Sequence, residues 1–153
     1  MSLSPQAKPS RPMQIVVLWI VFLLGTLFHT QLGLMPLFHG LDVLAAHGHM
    51  ATNLDEISTV LWLMWAFFTV PLVVLVATCF TDSRRYRATH LGITLVYSVL
   101  NLSHLLVDLM VRPIEWYQVA LMALLFGVGL LLNAVAYQWW REVRPRQRLQ
   151  SAH

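Results

Sequence analysis

The sequence contains a single cysteine, Cys79, among its 153 residues. One thiol cannot form an intramolecular disulfide, and a metal site built from several thiolates is excluded for the same reason. If the chain binds a metal ion, its ligands are therefore expected to be imidazole and carboxylate groups.

Charged residues are also scarce, at 11% of the chain, whereas hydrophobic residues make up 58%. A soluble domain carries about a quarter charged residues. Four apolar blocks, each long enough to cross a hydrocarbon core that takes about 20 helical residues, follow one another in the sequence. The sequence therefore predicts an all-α membrane protein, a four-transmembrane-helix antiparallel bundle with spans at roughly 13–33, 57–79, 87–111 and 114–140.

The few basic residues are distributed unevenly between the two sides of such a bundle. Only Arg112 falls on one side, and the other nine fall on the opposite side: Lys8, Arg11, Arg84, Arg85, Arg87, Arg141, Arg144, Arg146 and Arg148. The positive-inside rule then places both termini in the cytoplasm of a multi-pass protein of the cell (inner) membrane. Because these residues flank the spans, topology explains the net charge of +3 without a nucleic-acid partner, and the lipid bilayer is the expected partner.

The remaining segments divide the chain into one domain with two extensions. Residues 1–12, with three prolines, are predicted to be a disordered cytoplasmic N-terminus, 13–140 the transmembrane domain and 141–153 a basic cytoplasmic tail. The outer loop after the first span is the only long one, and its apolar residues have helical spacing. A short amphipathic helix is predicted there, built around Leu37, Leu41, Leu44 and Ala45.

The third span carries a continuous polar stripe. Its members recur every three or four residues and so share one helix face: His90, Thr94, Tyr97, Asn101, His104 and Asp108. Ionisable residues within a span normally face a bundle interior or a wet cavity and mark a functional site. His90, close to the arginine-rich side, is also compatible with a half-hydrated position or a contact with lipid headgroups.

Histidines and acids concentrate towards the outer side, which is predicted to be histidine-rich. His29 of the first span lies at nearly the same depth as His104 and Asp108, so the three can converge. Imidazole and carboxylate together suit a transition metal ion: zinc, iron, copper or manganese. The predicted metal ligands are therefore His29, His104 and Asp108, with His47, His49 and Glu56 as further candidates. A mutual histidine–carboxylate pair and, for Glu56, a helix-capping role remain open.

Two further features concern packing. Pro71 lies inside the second span and should free a backbone carbonyl near Phe67, because proline has no amide hydrogen. Small residues that let helices approach closely in lipid recur along the fourth span, at Ala120, Ala123, Gly127 and Ala134.

The sequence leaves the function open between metal-dependent catalysis and metal handling, and it leaves three alternatives to a metal site. Haem b could be held between His29 and His104, as in four-helix cytochromes. The polar stripe could serve as a proton or ion path. The chain could also be an accessory subunit of a larger membrane complex, such as one for electron transfer, or it could form a homo-oligomer.

Overall fold

The computed structural model describes residues 9–41 and 53–142, which form four α-helices. These are α1 (Arg11–Phe38), α2 (Leu54–Phe80), α3 (Arg84–Met110) and α4 (Trp116–Arg141). Leu37 belongs to α1, which continues beyond the predicted end of the first span and contains Pro36 in its last turn. The predicted amphipathic helix falls mostly outside the described residues, as do His47, His49 and most of both terminal segments.

The helix starts follow from local side-chain chemistry. Asn53 caps α2 through its side-chain oxygen, which accepts a hydrogen bond from the Glu56 amide at 3.2 Å. Ser83 caps α3 in the same way, since its hydroxyl accepts from the Tyr86 amide at 3.1 Å. The fourth span was predicted from about residue 114; its first turn is closed by the Glu115 carbonyl, so α4 begins at Trp116.

Helix α4 packs along both α1 and α3, and α1 makes a smaller contact with α2. At one end of the molecule, Arg11 Nε lies 3.3 Å from Glu142 Oε1, and Arg87 reaches the last carbonyls of α4. At the opposite end, His29 of α1 meets Asp108 of α3. The start of α1, the start of α3 and the end of α4 therefore lie together.

Aromatic side chains form much of the core. Trp19 and Phe22 of α1 are fully buried and meet at an interplanar angle of 88°, and Trp19 also approaches Tyr97 of α3 edge to face. Trp139 of α4 closes the core towards the arginine-rich end. These packed rings set the separation of α1, α3 and α4, and with it the geometry of the polar groups between them.

The polar stripe of α3 faces this interior over most of its length. His90 is 0% exposed, Thr94 1%, Tyr97 6% and Asn101 3%. His104 and Asp108 continue the stripe to a more open end of the bundle, where His104 keeps 54% of its side-chain surface exposed. The stripe therefore passes from a sealed interior to an accessible edge.

The small-residue face of α4 that was predicted to pack closely does not pack against another of the four described helices. Ala120, Ala123, Gly127 and Ala134 are all exposed. The close approach occurs on another face, at Gly129, where an added Cβ would lie 3.2 Å from the Ser98 hydroxyl. Because any α-helix rich in small residues offers several such faces, spacing alone did not identify the one that packs.

The carbonyl that Pro71 leaves without an intrahelical partner is bound by a neighbouring helix. Tyr97 donates its hydroxyl hydrogen to the Phe67 carbonyl at 2.8 Å. The position of Pro71 predicts that this carbonyl is free to accept such a hydrogen bond. A second hydroxyl, that of Tyr86, donates to the Val74 carbonyl at 2.7 Å. These two tyrosines attach α3 to the backbone of α2.

Each of the four helices is long and apolar enough to cross a membrane. Large hydrophobic side chains cover much of their outer surface, including Trp62 and Trp65 of α2. Such a surface is stable against lipid tails and unfavourable in water.

Candidate metal centre

Three of the predicted ligands meet at the open end of the bundle. His104 and Asp108 are one helical turn apart on α3, and their side chains point towards α1, where His29 lies on the inward face. His29 Nε2 lies 3.2 Å from Asp108 Oδ2, and His104 Nε2 lies 3.6 Å from Asp108 Oδ1. The predicted convergence of these three side chains is confirmed.

The spacing of the donor atoms fits one shared ion. One donor atom can be taken from each of His29, His104 and Asp108 such that all lie within 4.8 Å of one another. Ligand atoms around a tetrahedral zinc ion, at metal distances of about 2.0 Å, are separated by about 3.3 Å. Small side-chain rotations therefore suffice to bring these donors to coordination distance.

The cluster is buried on one side and open on the other. The side chain of His29 is 8% exposed and that of Asp108 17%, whereas that of His104 is 54% exposed. A cavity of about 380 Å³ adjoins the two imidazoles and is bordered by side chains of all four helices: Thr26, Thr30, Leu63, Met64, Phe67, Phe68, Leu100, Asn101 and Met122. A small ligand can therefore reach the histidines from this cavity.

The two imidazole rings approach each other edge to face, with ring centroids 5.1 Å apart. The threonines near His29 do not orient its ring: Thr26 donates to the Phe22 carbonyl and Thr30 to the Leu27 carbonyl, both within α1. Asp108 is thus the side chain that positions His29.

The other predicted ligands have different positions. Glu56 lies in the first turn of α2, where its backbone amide donates to the cap residue Asn53 and its carboxylate accepts from the Asn53 side-chain amide at 3.0 Å, which is a role at the helix start. It does not belong to the metal-type cluster found within residues 9–41 and 53–142. His47 and His49 lie outside the described residues.

His90 is fully buried at the other end of the stripe, and its partner is a residue that the sequence did not indicate. Trp19 donates its indole N–H to His90 Nε2 at 3.0 Å. The rings of Tyr86 and Trp139 lie on other sides of the imidazole. His90 is therefore part of the aromatic core, which excludes the half-hydrated position allowed by the sequence.

Arg87 is the polar residue that sequence reasoning placed least well. The sequence puts it at the boundary of the third span as one of the charges that set topology, but it lies in the first turn of α3 and is 6% exposed. Its guanidinium pairs with Asp82 and donates to the Trp139 and Glu142 carbonyls at 2.8 and 3.0 Å. Its position three residues before His90, on the face of the stripe, was the available signal.

No protein-family model matches this chain. No curated protein and no solved structure is significantly similar to it either.

Proposed function

We propose that this chain is an integral membrane protein with a transition-metal site formed by His29, His104 and Asp108. In the proposed antiparallel topology both termini are cytoplasmic, and the site lies near the outer leaflet of the cell membrane. The function is metal-dependent catalysis or metal handling at that surface. The observation that carries the proposal is the grouping of two imidazoles and one carboxylate within 4.8 Å at an accessible end of the bundle.

The donor set also indicates the kind of site. Two histidines and one carboxylate are the ligands of catalytic zinc sites and of non-haem iron(II) sites, in which the protein leaves coordination positions for water or substrate. Copper(II) and manganese accept the same donors. The adjoining cavity of about 380 Å³ offers space for such an additional ligand.

Metal analysis of the purified protein tests this proposal. Wild-type protein in lipid nanodiscs should retain close to one equivalent of a single transition metal after extensive dialysis. His104→Ala and Asp108→Asn should each retain much less, because the first removes one of three protein donors and the second replaces the anionic donor with a neutral amide, while the aromatic core stays intact.

The matched control is His39→Ala, since His39 is an exposed histidine just beyond α1 and outside the cluster. It should retain metal as the wild type does. Absence of bound metal in wild-type protein after reconstitution with zinc, iron(II), copper(II) or manganese would falsify the proposal.

The other functions considered from the sequence remain predictions and form no part of this proposal. A haem iron with two axial histidines needs the rings on opposite faces of a macrocycle. The direct edge-to-face approach of His29 and His104, with Asp108 touching both, does not favour that arrangement.

A further inference from the structure

An apolar groove extends from the histidine cluster along the outer surface between α2 and α3. Beside the cavity next to the two imidazoles lies a second cavity of about 630 Å³. The two share three bordering residues, Leu63, Phe67 and Leu100, so they adjoin each other, and we describe the pair together as one depression. We call the second cavity the α2/α3 groove; its further borders include Ala66, Val70, Gly92, Ile93 and Val96.

The depression changes character along its length. Its upper end contains His29, His104 and Asn101, whereas the α2/α3 groove below is bordered almost entirely by aliphatic and aromatic side chains. From His104 to Thr89 at the far end, fifteen residue steps of α3 span about 22 Å, and the apolar part below Leu100 spans about 16 Å. This apolar part begins about 15 Å below the outer end of α3 at Met110, so a hydrocarbon chain lying in it extends into the inner half of the bilayer.

The groove lies outside the bundle core. Tyr97 forms part of its floor and donates to the Phe67 carbonyl, which closes the groove towards the interior. The walls are open: Leu63 is 65% exposed, Val96 56% and Val70 42%. In the proposed membrane orientation, these side chains face lipid tails.

We propose that the α2/α3 groove holds the hydrocarbon chain of a membrane amphiphile whose oxygen-bearing head group binds at the His29, His104 and Asp108 site. This inference rests on the proposed metal function and assigns its ligand to a class, the long-chain lipids. A long-chain amphiphile fits because its polar head and apolar tail match the two adjoining cavities, one beside the imidazoles and one apolar. A partner helix or a second copy of the chain would match only the apolar part.

The floor of the groove provides a specific test at Gly92. A Cβ added to Gly92 meets no atom within 4 Å, so a side chain can start there, and a phenyl ring would take up space in the groove that Gly92 borders. Gly127 of α4 is equally open and lies outside the groove, which makes it a matched control. The comparison therefore uses Gly92→Phe and Gly127→Phe.

The probe is hexadecanoic acid carrying a mid-chain diazirine, added to zinc-loaded protein in phosphatidylcholine nanodiscs. After photolysis, peptide mass spectrometry should locate labels on the groove residues of α2 and α3. Gly92→Phe should weaken labelling about tenfold. This ratio corresponds to a loss of about 1.4 kcal/mol of binding free energy, which is the contribution of roughly two buried methylene groups of the lipid chain. Gly127→Phe should label as the wild type does. Zinc content, measured on the same samples, should be equal in all three proteins.

The outcomes separate this inference from the proposed function. The groove proposal would be overturned if wild type and Gly92→Phe were labelled equally, or if labels were spread evenly over α4 as well. Either result would mean that the probe reacts only as part of the surrounding lipid, and zinc binding would be unaffected. Groove labelling of protein that retains no zinc would refute the assignment of the head group to a metal, and the metal function itself fails only if iron(II), copper(II) and manganese are not bound either. Native mass spectrometry completes the test. If the wild type is a dimer and Gly92→Phe is a monomer, the groove is an interface between two copies of the chain, and the proposal that it holds a lipid chain is refuted.

Discussion

Asp108 and Trp19 each supply the polar partner of a buried histidine, but the two pairs differ in kind. Asp108 is an acceptor with two oxygens and contacts both His29 and His104, so its negative charge is shared between two imidazoles. Trp19 is only a donor, and its hydrogen bond to His90 Nε2 occupies the lone pair that a metal ion would need. His29 and His104 are thus available to coordinate a metal ion, whereas His90 has a structural role.

The Trp19–His90 pair should show the asymmetry expected of a buried hydrogen bond. Trp19→Phe leaves His90 Nε2 buried without its donor and should reduce the free energy of unfolding by about 1–3 kcal/mol, in addition to the loss from the smaller ring. The double variant Trp19→Phe with His90→Leu should be less destabilised than the two single changes added together. Denaturation in detergent micelles measures this coupling.

Trp62→Phe is the control for this cycle, because Trp62 is 67% exposed and should change stability by less than about 0.5 kcal/mol. Strictly additive effects of Trp19→Phe and His90→Leu would show that the two side chains do not interact as described.

The sequence predicted the residues of the candidate site better than their partners. Helical periodicity placed His104 and Asp108 on one face, and equal depth brought His29 to them, because both follow from chain geometry. The partner of His90 could not be obtained in this way. Trp19 is 71 residues away and looks, in sequence, like any other aromatic residue of a lipid-facing span.

Among the helices, α3 is the one whose start is fixed by tertiary contacts as well as by a local cap. Arg87 reaches the C-terminal end of α4, where unpaired carbonyls carry partial negative charge that a cation stabilises. Its guanidinium also lies over the Trp139 ring, at 5.2 Å from the ring centroid. A single side chain therefore joins the beginning of one helix to the end of the next.

We expect Arg87→Ala to destabilise the bundle. The change removes the donor for the Trp139 and Glu142 carbonyls and separates Asp82 from its cation, and a hydrogen bond of a charged group contributes about 1.5–3 kcal/mol. Because Asp82 is 40% exposed, solvent limits the additional loss from that ion pair. Thermal unfolding in nanodiscs should show a clearly lowered Tm.

Arg84→Ala provides the comparison, because Arg84 is an exposed arginine in the same turn of α3. Its Tm should stay close to that of the wild type. If the two variants lost equal stability, Arg87 would stabilise the bundle through its positive charge alone and not through its contacts with α4.

At the scale of the whole molecule, the two ends of the bundle have different chemistry. Arg11, Arg87 and Arg141 lie at the end formed by the starts of α1 and α3 and the end of α4, and the histidine–carboxylate cluster lies at the other. The existence of four apolar helices followed directly from composition. The limits of the helices did not: the first span was predicted to end near residue 33, whereas α1 continues to Phe38 with Pro36 in its last turn.

The proposed orientation can be tested with single cysteines. In a Cys79→Ser background, Arg112→Cys should react with a membrane-impermeant maleimide added outside intact cells, because it lies at the cluster end. Arg84→Cys should react only after the cells are opened. The reverse pattern would place the proposed metal site on the cytoplasmic side and contradict the orientation predicted from the basic residues.

The proline in α2 has one more consequence for how this molecule can change. The oxygen of Phe67 accepts from the Tyr97 phenol in the place where an ordinary residue at position 71 would offer its own amide. Replacing Pro71 would restore that internal bond and leave the phenol competing for an acceptor already in use. The hydrogen bond between α2 and α3 thus depends on the backbone acceptor that Pro71 leaves free within α2. A residue with an amide hydrogen at position 71 would take that acceptor and weaken the contact between the two helices.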